Sequence, residues 1–327
     1  MPAAPTPARG ELQDRLFDAD EIDWLRSHLR AEIEEAVGCA FHALKFDVIS
    51  SPTVHDGSTI VRVRDTGTKA PLAVVSVSSV LFPDMVDRAM EGAEMARELL
   101  GPQLGSHVLV ALARARPGGR SCAVLPYCQA LREVALLRRL DSLRVSAAVF
   151  DWRLSVTRAT VFPATHEGTR DRFADRLAHL ASLAVVDDDV RRSAKVALQR
   201  LESGAWRPRH ALMHGDLWRG NLLLRRPAAG APREGVADRF VVSDWPGAER
   251  QGYPIFDLVR LALSLGTGQR RLAAEIARHC EALGCERRDA SGSLLAGLGH
   301  IALSLGEFPI ERFAIIVRAC HGAVAEA

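Results

Sequence analysis

The stretch HALMHGDLWRGNLLL, residues 210–224, places a short polar segment between two apolar runs. The polar segment contains His214, Asp216 and Asn221 in the spacing H-x-D-x-x-x-x-N. Short apolar runs on either side of a loop are typical of buried strands. The stretch therefore predicts a loop between two buried segments, the second of which is a short strand, with a carboxylate and a carboxamide held in the loop.

A second carboxylate follows in the next predicted strand. Asp244 lies 23 residues after Asn221, in RFVVSDW, residues 239–245. A hairpin brings the loop and the end of that strand together, so one cleft would hold two carboxylates and one carboxamide. Phosphoryl transfer from a nucleotide needs this set, because one carboxylate accepts the proton of the attacking hydroxyl and the other two groups hold Mg²⁺. Mg²⁺ prefers oxygen ligands and keeps several waters, so two protein ligands suffice.

Two segments resemble those of a known family. HGDLWRGNLLL, residues 214–224, resembles the catalytic loop of the aminoglycoside phosphotransferase and choline kinase family, which comprises small-molecule relatives of the protein kinases. VVSDWPGAERQGYPIFDLVRLA, residues 241–262, is similar to that family's metal-binding segment and the Gly-x-Pro-x-x-Asp-Leu element after it. The resemblance covers about residues 41–310 and rests on the three motifs as a set.

The resemblance implies a role for five residues of the second half of the chain. Asp216 would be the catalytic base, and Asn221 and Asp244 would be the Mg²⁺ ligands. His214 would support the loop through hydrogen bonds, and Asp257 would be a buried carboxylate that braces the loop. The co-substrate implied by the resemblance is ATP, bound with Mg²⁺ between two lobes.

The fold class predicted by the resemblance and by the order of patterns is α+β. We expect a bilobal protein-kinase-like fold, with a small antiparallel β N-lobe that includes one helix and a larger helical C-lobe. The predicted division is an N-terminal tail and helix over residues 1–40, a β-rich nucleotide-binding lobe over 41–126, and a catalytic and substrate-binding lobe over 127–327.

Periodicity predicts the elements of the first half of the chain. Apolar residues at helical spacing indicate an amphipathic helix over residues 20–37. Runs of β-branched and apolar residues predict strands at STIVRVRD (58–65), PLAVVSVSS (71–79), HVLVALARA (107–115) and SCAVLPYC (121–128). A helix between the second and third of these strands is expected to end at Gly101.

The strand PLAVVSVSS departs from the family pattern. Kinases carry a lysine on this strand that binds the nucleotide phosphates and pairs with a glutamate of the following helix. Ser76 occupies the expected position, and Glu91 and Glu94 are the candidate glutamates. Either Arg62 or Arg64, which share one face of the neighbouring strand, substitutes for the lysine, or the phosphate clamp is lost.

Two further segments are candidates for nucleotide contacts. Tyr127 and Cys128 fall where the hinge of the family offers backbone groups to adenine. The phosphate loop would be SSPTVHDGS, residues 50–58, in which Gly57 is the single glycine. In the family that the chain resembles this loop is often poor in glycine, so the single glycine here does not weaken the resemblance.

Composition limits the possible partners and the cellular setting. The net charge of +2 gives no strong field for nucleic acid or for an anionic membrane, so neither is an expected partner. The six cysteines form no CxxC pair and are expected to be reduced thiols. The N-terminus has no apolar signal region and no run is long enough to span a bilayer, so the expected location is the cytoplasm.

The function predicted from these observations is transfer of the γ-phosphate of ATP to a hydroxyl of a small molecule. The alternative is a pseudokinase or nucleotide-binding scaffold with a protein partner, because Ser76 replaces the lysine. A protein kinase is disfavoured, because the segment between SDW and GYPIFDL is too short to dock a peptide.

The acceptor stays open at this point. A cationic acceptor such as an aminoglycoside would require an acidic patch, for which Glu249, Glu307 and Glu311 are candidates. Arg250 and Arg312 stand beside two of these glutamates. A sugar, an amino alcohol or another hydroxylated metabolite fits the sequence equally well, because family resemblance does not transfer substrate identity.

Overall fold

A computed structural model describes residues 19–50, 58–131, 135–226, 235–306 and 308–326. The chain divides into two compact units, each described below by itself. The first unit holds the described residues up to Met90 together with Val110–Cys128, and the second holds Glu91–Leu109 and the described residues from Gln129 onward. The predicted boundaries at residues 40 and 126 stay predictions.

The first unit is built on a five-stranded antiparallel sheet. Its strands are β1 (Leu44–Ser50), β2 (Ser58–Asp65), β3 (Pro71–Ser78), β4 (Ala113–Ala115) and β5 (Cys122–Pro126). The strand order is β1-β2-β3-β5-β4, and every pair is antiparallel. The β-branched runs predicted as strands over 58–65 and 71–79 therefore form the centre of the sheet, which confirms the antiparallel β lobe.

A helix covers one face of this sheet. Helix α1 (Ala19–Val37) buries Leu25, Leu29 and Ile33, which recur at four-residue spacing, against alternate strand residues such as Val61 and Val75. Because side chains of a strand alternate between faces, the residues between them point to the opposite side of the sheet. The apolar residues that the sequence predicts on one side of this helix are therefore the residues that pack against the sheet.

The opposite face of the sheet packs against the start of the second helix. Helix α2 (Met85–Gly105) buries Val86, Ala89 and Met90 against Ala123 of β5. The helical conformation is interrupted at Gly101, where the sequence predicted the end of the helix, because this residue has φ of 68° and ψ of −177°. One more turn follows this kink and ends at Gly105.

The second unit contains short strands and most of the helices. Its strands are β7 (Phe162–Pro163), β8 (Arg209–Met213), β9 (Leu222–Arg225), β10 (Phe240–Val242) and β11 (Glu249–Gly252), and β6 (Cys128–Ala130) begins at the last residue of the first unit. Strands β9 and β10 pair as the predicted antiparallel hairpin, with Leu222 opposite Val242. Strand β8 pairs with β7 on one side and with β11 on the other.

Seven helices of eight residues or more surround these strands in the described part of the second unit. They are α3 (Ala135–Thr160), α4 (Asp175–Ser182), α5 (Asp188–Glu202), α6 (Pro254–Leu265), α7 (Gln269–Leu283), α8 (Arg287–Ala302) and α9 (Ile310–Ala325). This helical content confirms the predicted larger α-helical lobe. No helix in the described ranges combines the length and the apolar composition that a membrane span requires.

The strand predicted over HVLVALARA is wrong for most of its length. Only Ala113–Ala115 is a strand of the sheet. The apolar residues before it are buried for a different reason, because the chain runs beside β10: the Leu109 amide donates to the Val242 carbonyl at 2.9 Å, and the Val242 amide donates to His107 at 2.7 Å. An apolar run alone does not show which strand it lies against.

Candidate active site

The predicted polar loop begins where β8 ends. Strand β8 stops at Met213, the polar residues follow, and a single 3₁₀ turn, Arg219–Asn221, leads into β9. The apolar residues on both sides are buried, so the loop is held at each end by strands. The sequence predicted a loop between two buried segments and the hairpin of β9 and β10 that follows it.

His214 is buried and joins the loop to the end of β10. Its Nε2 lies 3.0 Å from the carbonyl oxygen of Ser243, and its Nδ1 lies 3.2 Å from the backbone amide of Asp216. A carbonyl can only accept and an amide can only donate, so Nε2 carries the proton and Nδ1 does not. His214 is therefore a neutral crosslink of the loop, and its unprotonated nitrogen is already used by Asp216.

Asp257 lies beneath the loop and accepts two of its backbone amides. The amide of His214 donates to Oδ2 at 2.7 Å, and the amide of Gly215 donates to Oδ1 at 3.1 Å. Asp257 is buried in the first turn of α6. A buried carboxylate that accepts two amides fixes the path of the backbone, as the bracing role implied by the resemblance requires.

Gly215 lets the loop pass close to the segment after Asp244. Its φ is 89°, and a Cβ there would lie 2.6 Å from the carbonyl oxygen of Gly247. A residue with a side chain would be strained by its backbone conformation and would also displace the neighbouring chain. The glycine of His-Gly-Asp is therefore required by this close approach.

Asn221 and Asp244 supply oxygens of the type that Mg²⁺ prefers. Nδ2 of Asn221 donates to the carbonyl of Asp216 at 2.9 Å, which leaves Oδ1 as the amide atom able to bind a cation. The Ser243 amide donates to the Asn221 carbonyl at 3.0 Å, so Asp244 directly follows a residue paired with Asn221. Asp244 is exposed and has φ of 67°.

These two donors fit the chemistry of a magnesium site. Mg²⁺ takes oxygen ligands and retains waters, so an amide oxygen and a carboxylate are a sufficient protein contribution. Among the residues that the structure describes, no group of three or more His, Cys, Asp or Glu side chains is arranged to hold a metal. A site with one amide and one carboxylate is compatible with that finding.

Asp216 is the exposed carboxylate of the loop, and it has an ion-pair partner. Nη2 of Arg260, on α6, lies 2.8 Å from Oδ1 of Asp216; the side chains are 23% and 53% exposed, respectively. Arg260 follows Asp257 by three residues, so both side chains leave the same side of the helix. One face of α6 thus contacts the loop at two points: Asp257 accepts two loop amides, and Arg260 binds the carboxylate of Asp216.

Glu249, a candidate for contact with a cationic acceptor, is already paired. Its Oε1 lies 3.2 Å from Nε2 of His300, and its Oε2 accepts from Arg172 at 2.5 Å. Burial opposes its ionisation, but the hydrogen bond and charge of His300 and the charge of Arg172 outweigh burial and hold the pKa of Glu249 below its usual value. Glu311 is exposed at the start of α9, and Glu307 lies outside the described residues.

Helix α2 brings the candidate glutamates beside the segment that follows Asp244. Glu91 and Glu94 are exposed, and Gly92 lies between them. A Cβ on Gly92 would collide with the backbone carbonyl of Trp245, so the helix and the segment after Asp244 are in direct contact. The structure places both glutamates on this stretch and does not distinguish them as partners of the nucleotide site.

Ser76 occupies the centre of the sheet in the first unit. It is buried and lies opposite Ile60 of β2 and Ala123 of β5. Its hydroxyl donates to the hydroxyl of Ser58 at 3.1 Å. The position that the family fills with a lysine therefore carries a short, hydrogen-bonded side chain.

Arg62 and Arg64 lie on the same face of the sheet as Ser76, and both bind Asp47. Nη2 of Arg64 donates to Asp47 at 2.7 Å, and Nε of Arg62 lies 3.5 Å from it. The hydrogen bond from Arg64 is the main cause that lowers the pKa of the Asp47 carboxyl. Lys45 pairs in register with Arg64, so this face carries three cationic groups and one carboxylate.

The two predicted hinge residues lie at the end of β5 and the start of β6. The amide of Tyr127 donates to the carbonyl of Leu72 at 3.3 Å, which ties the hinge to β3. Cys128 is buried and begins β6. The predicted phosphate loop with Gly57 falls at residues 51–57, outside the described part of the chain.

Three residues of the site escaped the reading of the sequence. Arg260 had a usable signal, since it follows Asp257 at helical spacing. Ser264, whose Oγ accepts the Arg219 amide at 2.8 Å, had the same signal one turn further on. Arg153, buried against Asp257, lies more than 100 residues away on α3, and nothing near it in the sequence marks its partner.

Known structures share this fold at low sequence identity. A thermostable mutant of aminoglycoside phosphotransferase APH(4)-Ia, in complex with ADP and hygromycin B, is 16% identical with a TM-score of 0.53, covering 91% of this chain and 98% of its own. A choline/ethanolamine kinase family protein from Mesorhizobium loti is 14% identical with a TM-score of 0.50, covering 91% and 95%. A putative fructosamine-3-kinase from Haemophilus somnus 129PT is 12% identical with a TM-score of 0.51, covering 92% and 96%.

The sequence on its own finds no counterpart: the chain matches no known family profile and no curated protein. The structural likeness nevertheless extends over almost the whole length of the chain and of the proteins it resembles. The chain therefore has the bilobal α+β fold of the aminoglycoside phosphotransferases and choline/ethanolamine kinase family proteins, as the resemblance of its motifs predicted.

Proposed function

We propose that the chain is an ATP-dependent small-molecule kinase that transfers the γ-phosphate to a hydroxyl. The observation that carries the proposal is the hydrogen-bonded loop in which His214, Asn221 and Asp257 hold the backbone around an exposed Asp216. A loop built only as a turn would not need a buried carboxylate under its amides and a neutral histidine across its base. Proteins of the same fold bind ADP and hygromycin B, which supports a nucleotide and a hydroxylated acceptor.

In the proposed reaction, Asp216 accepts the proton of the acceptor hydroxyl as its oxygen bonds to the γ-phosphorus. The bond from that phosphorus to the bridging oxygen breaks, so that the products are the phosphate ester and ADP. Arg260 binds one carboxylate oxygen of Asp216 and leaves Oδ2 to face the hydroxyl. Asn221 and Asp244 would hold Mg²⁺, which when bound neutralises negative charge on the phosphates.

Two carboxylates that a cationic acceptor could contact are already paired. Arg260 binds Asp216, and Arg172 and His300 bind Glu249. A cationic acceptor would therefore have to compete with these partners. The proposed setting is the cytoplasm, which supplies ATP and keeps thiols reduced, and all six cysteines are free.

One observation favours a second candidate, a nucleotide-binding pseudokinase. Ser76 offers no cation to the phosphates, and the nearby Arg62 and Arg64 are engaged with Asp47. Under this candidate the protein would bind nucleotide without turnover and act on a protein partner. The organised loop argues for the kinase, since a scaffold has no use for an exposed carboxylate held at this point.

The test is ADP formation by the full chain with Mg²⁺ and ATP across hydroxylated compounds of three charge classes: hygromycin B, neutral hexoses and sugar acids. Asp216→Asn should reduce the transfer rate by about 10²–10⁴-fold, the usual contribution of a general base. Asp151→Asn, an exposed ion-paired carboxylate on α3, is the matched control and should keep full activity. Equal activity of Asp216→Asn and the original chain would overturn the assignment of the base.

A further inference from the structure

Arg153 is the most deeply buried cation in the described residues. It lies on α3 between the apolar residues Trp152 and Leu154, and its side chain is 2% exposed. A guanidinium is removed from water only where hydrogen-bond acceptors and a counter-charge replace its hydration. Its partners therefore indicate why the fold keeps it inside.

The partners of Arg153 are the elements that carry the proposed catalytic loop. Its Nη2 donates to the carbonyls of Leu212 at 3.2 Å and Pro254 at 3.4 Å, and it lies 3.6 Å from Oδ2 of Asp257. Leu212 belongs to β8, two residues before the loop, and Pro254 begins the helix that contains Asp257. One guanidinium thus links the strand before the loop to the carboxylate beneath it.

A second tie from α3 holds the same point of β8. Thr160 Oγ1 accepts the amide of Leu212 at 3.0 Å and donates to the carbonyl of Val156 at 2.7 Å. Both backbone groups of Leu212 are therefore bound by side chains of α3. A strand held in this way cannot shift along its axis without breaking two buried hydrogen bonds.

Arg153 is also the counter-ion of Asp257. The nearby His279 does not share that role: burial first, and the charge of Arg153 second, lower its pKa to about 3, so it is neutral. Burial likewise lowers the pKa of Arg153, and the charge of Asp257 opposes that shift. Asp257 in turn accepts the amides of His214 and Gly215, so its position is transmitted directly to the loop.

We propose that Arg153 is a positioning residue for the proposed catalytic loop, acting through Asp257 and Leu212. Arginine suits this point because its two terminal nitrogens serve different groups: Nη2 contacts the two carbonyls and the carboxylate, and Nη1 donates to Oγ1 of Thr157 at 3.2 Å. Lysine would supply the charge from a single ammonium and could not make both sets of contacts. The inference rests on the proposed function only in calling the loop catalytic, because the contacts exist whichever reaction the chain performs.

The experiment is amide hydrogen exchange of the full chain, resolved at His214 and Gly215, in Arg153→Lys and Arg153→Met. The matched control is Arg158→Met, an exposed arginine on the same helix. We expect exchange at these two amides to accelerate at least about tenfold more than exchange at the core amides of α8. Weakening one buried charged acceptor raises the population of the locally open state, from which amides exchange, on the order of tenfold. The control should leave both amides unchanged.

Three outcomes would overturn the inference. Unchanged protection at His214 and Gly215 in both variants would show that Asp257 does not depend on Arg153. Equal loss of protection at these amides and in α8, or failure of both variants to fold, would assign Arg153 to general stability alone. Where turnover is measurable, Arg153→Lys should lower kcat while the KM for ATP stays within about twofold, because the loop and not the nucleotide is displaced. Absence of turnover in the original chain would contradict the proposed function, and the exchange result would still decide the role of Arg153.

Discussion

The hairpin of the second unit and the sheet of the first unit both carry residues expected to serve one reaction, yet they differ in how fully they are equipped. In the second unit, His214 and Asn221 of the loop before the hairpin and Asp257 of α6 each make the hydrogen bond that their proposed role requires. In the sheet, Ser76 replaces a phosphate-binding lysine, and the nearby arginines are engaged with Asp47. The groups proposed for proton acceptance and metal binding are thus all present in the second unit, whereas the lysine expected to bind the phosphates is absent from the first.

The difference shows which half decides between an active enzyme and a scaffold. Under the proposed function, an exposed carboxylate on a loop held by a buried network serves turnover, whereas a cationic sheet face would serve nucleotide binding with or without turnover. The balance of charge on that face is net positive, with Lys45, Arg62 and Arg64 against Asp47. Variants that change one unit at a time test this difference.

The largest effect is expected from Asp257 in the hairpin half. Asp257→Asn leaves the buried Arg153 without its counter-ion and weakens two amide hydrogen bonds, so we expect the free energy of unfolding to fall by about 3–5 kcal/mol. Urea unfolding measures the change. The matched control, Asp151→Asn, removes an exposed ion pair with Arg278 and should cost less than about 1 kcal/mol. A similar small cost for both variants would contradict the account of a braced loop.

The next largest effect is expected from acid, which should lower the stability of the second unit more than that of the first. Burial lowers the pKa of His279 to about 3, whereas an unfolded histidine titrates near 6.5. Between these pH values the unfolded chain binds a proton at this histidine and the folded chain does not. The free energy of unfolding therefore falls by about 1.4 kcal/mol for each pH unit from 6.5 down to about 3. Urea unfolding at pH 7 and pH 5 measures this loss.

Two comparisons make the acid prediction specific. His279→Leu should reduce the dependence of stability on pH below 6.5. It removes the histidine whose pKa burial lowers to about 3, while His107 and His210, whose pKa values burial also lowers, remain. The described histidines of the first unit, His28 and His42, are exposed, so its sheet amides should keep their protection against exchange over the same range. If the sheet amides of the first unit lose protection at a higher pH than the amides of the second unit, the two units do not differ in acid sensitivity as predicted.

The smallest effect concerns the cationic face of the sheet. We expect the pair Arg62→Gln and Arg64→Gln to weaken binding of Mg·ATP by about tenfold, because the face loses two charges that can attract phosphate. Calorimetric titration measures the affinity. Arg26→Gln, which removes an exposed arginine of the same unit, should leave it unchanged. Undiminished affinity in the double variant would mean that the arginines serve Asp47 alone.

The sequence predicted the hairpin well because its determinants are local. Alternating and apolar runs set the strands, and the side chains of His214 and Asn221 bond to backbone groups of the loop and of the hairpin. The resemblance then singled out Asp257, 41 residues beyond Asp216, which the structure places under the loop. Arg260 follows from helical spacing once Asp257 is placed.

Other features could not be predicted because their partners are distant in the chain. Arg153 meets Asp257 from a helix about 100 residues earlier, and no periodicity records such a contact. The apolar run around Val108 predicts a strand of the sheet in the first unit, but Val108 is buried beside Val242 in the second unit. Burial can be read from a sequence, whereas the identity of the neighbour depends on the tertiary fold.

The most direct test of the central claim is calorimetric titration of ATP into the full chain, with and without Mg²⁺, alongside Asp244→Ala. If the protein is a kinase that holds Mg²⁺ through Asn221 and Asp244, binding should depend on Mg²⁺, and that dependence should be lost in the variant. Absence of binding under both conditions, or binding that neither Mg²⁺ nor Asp244 affects, would contradict the account.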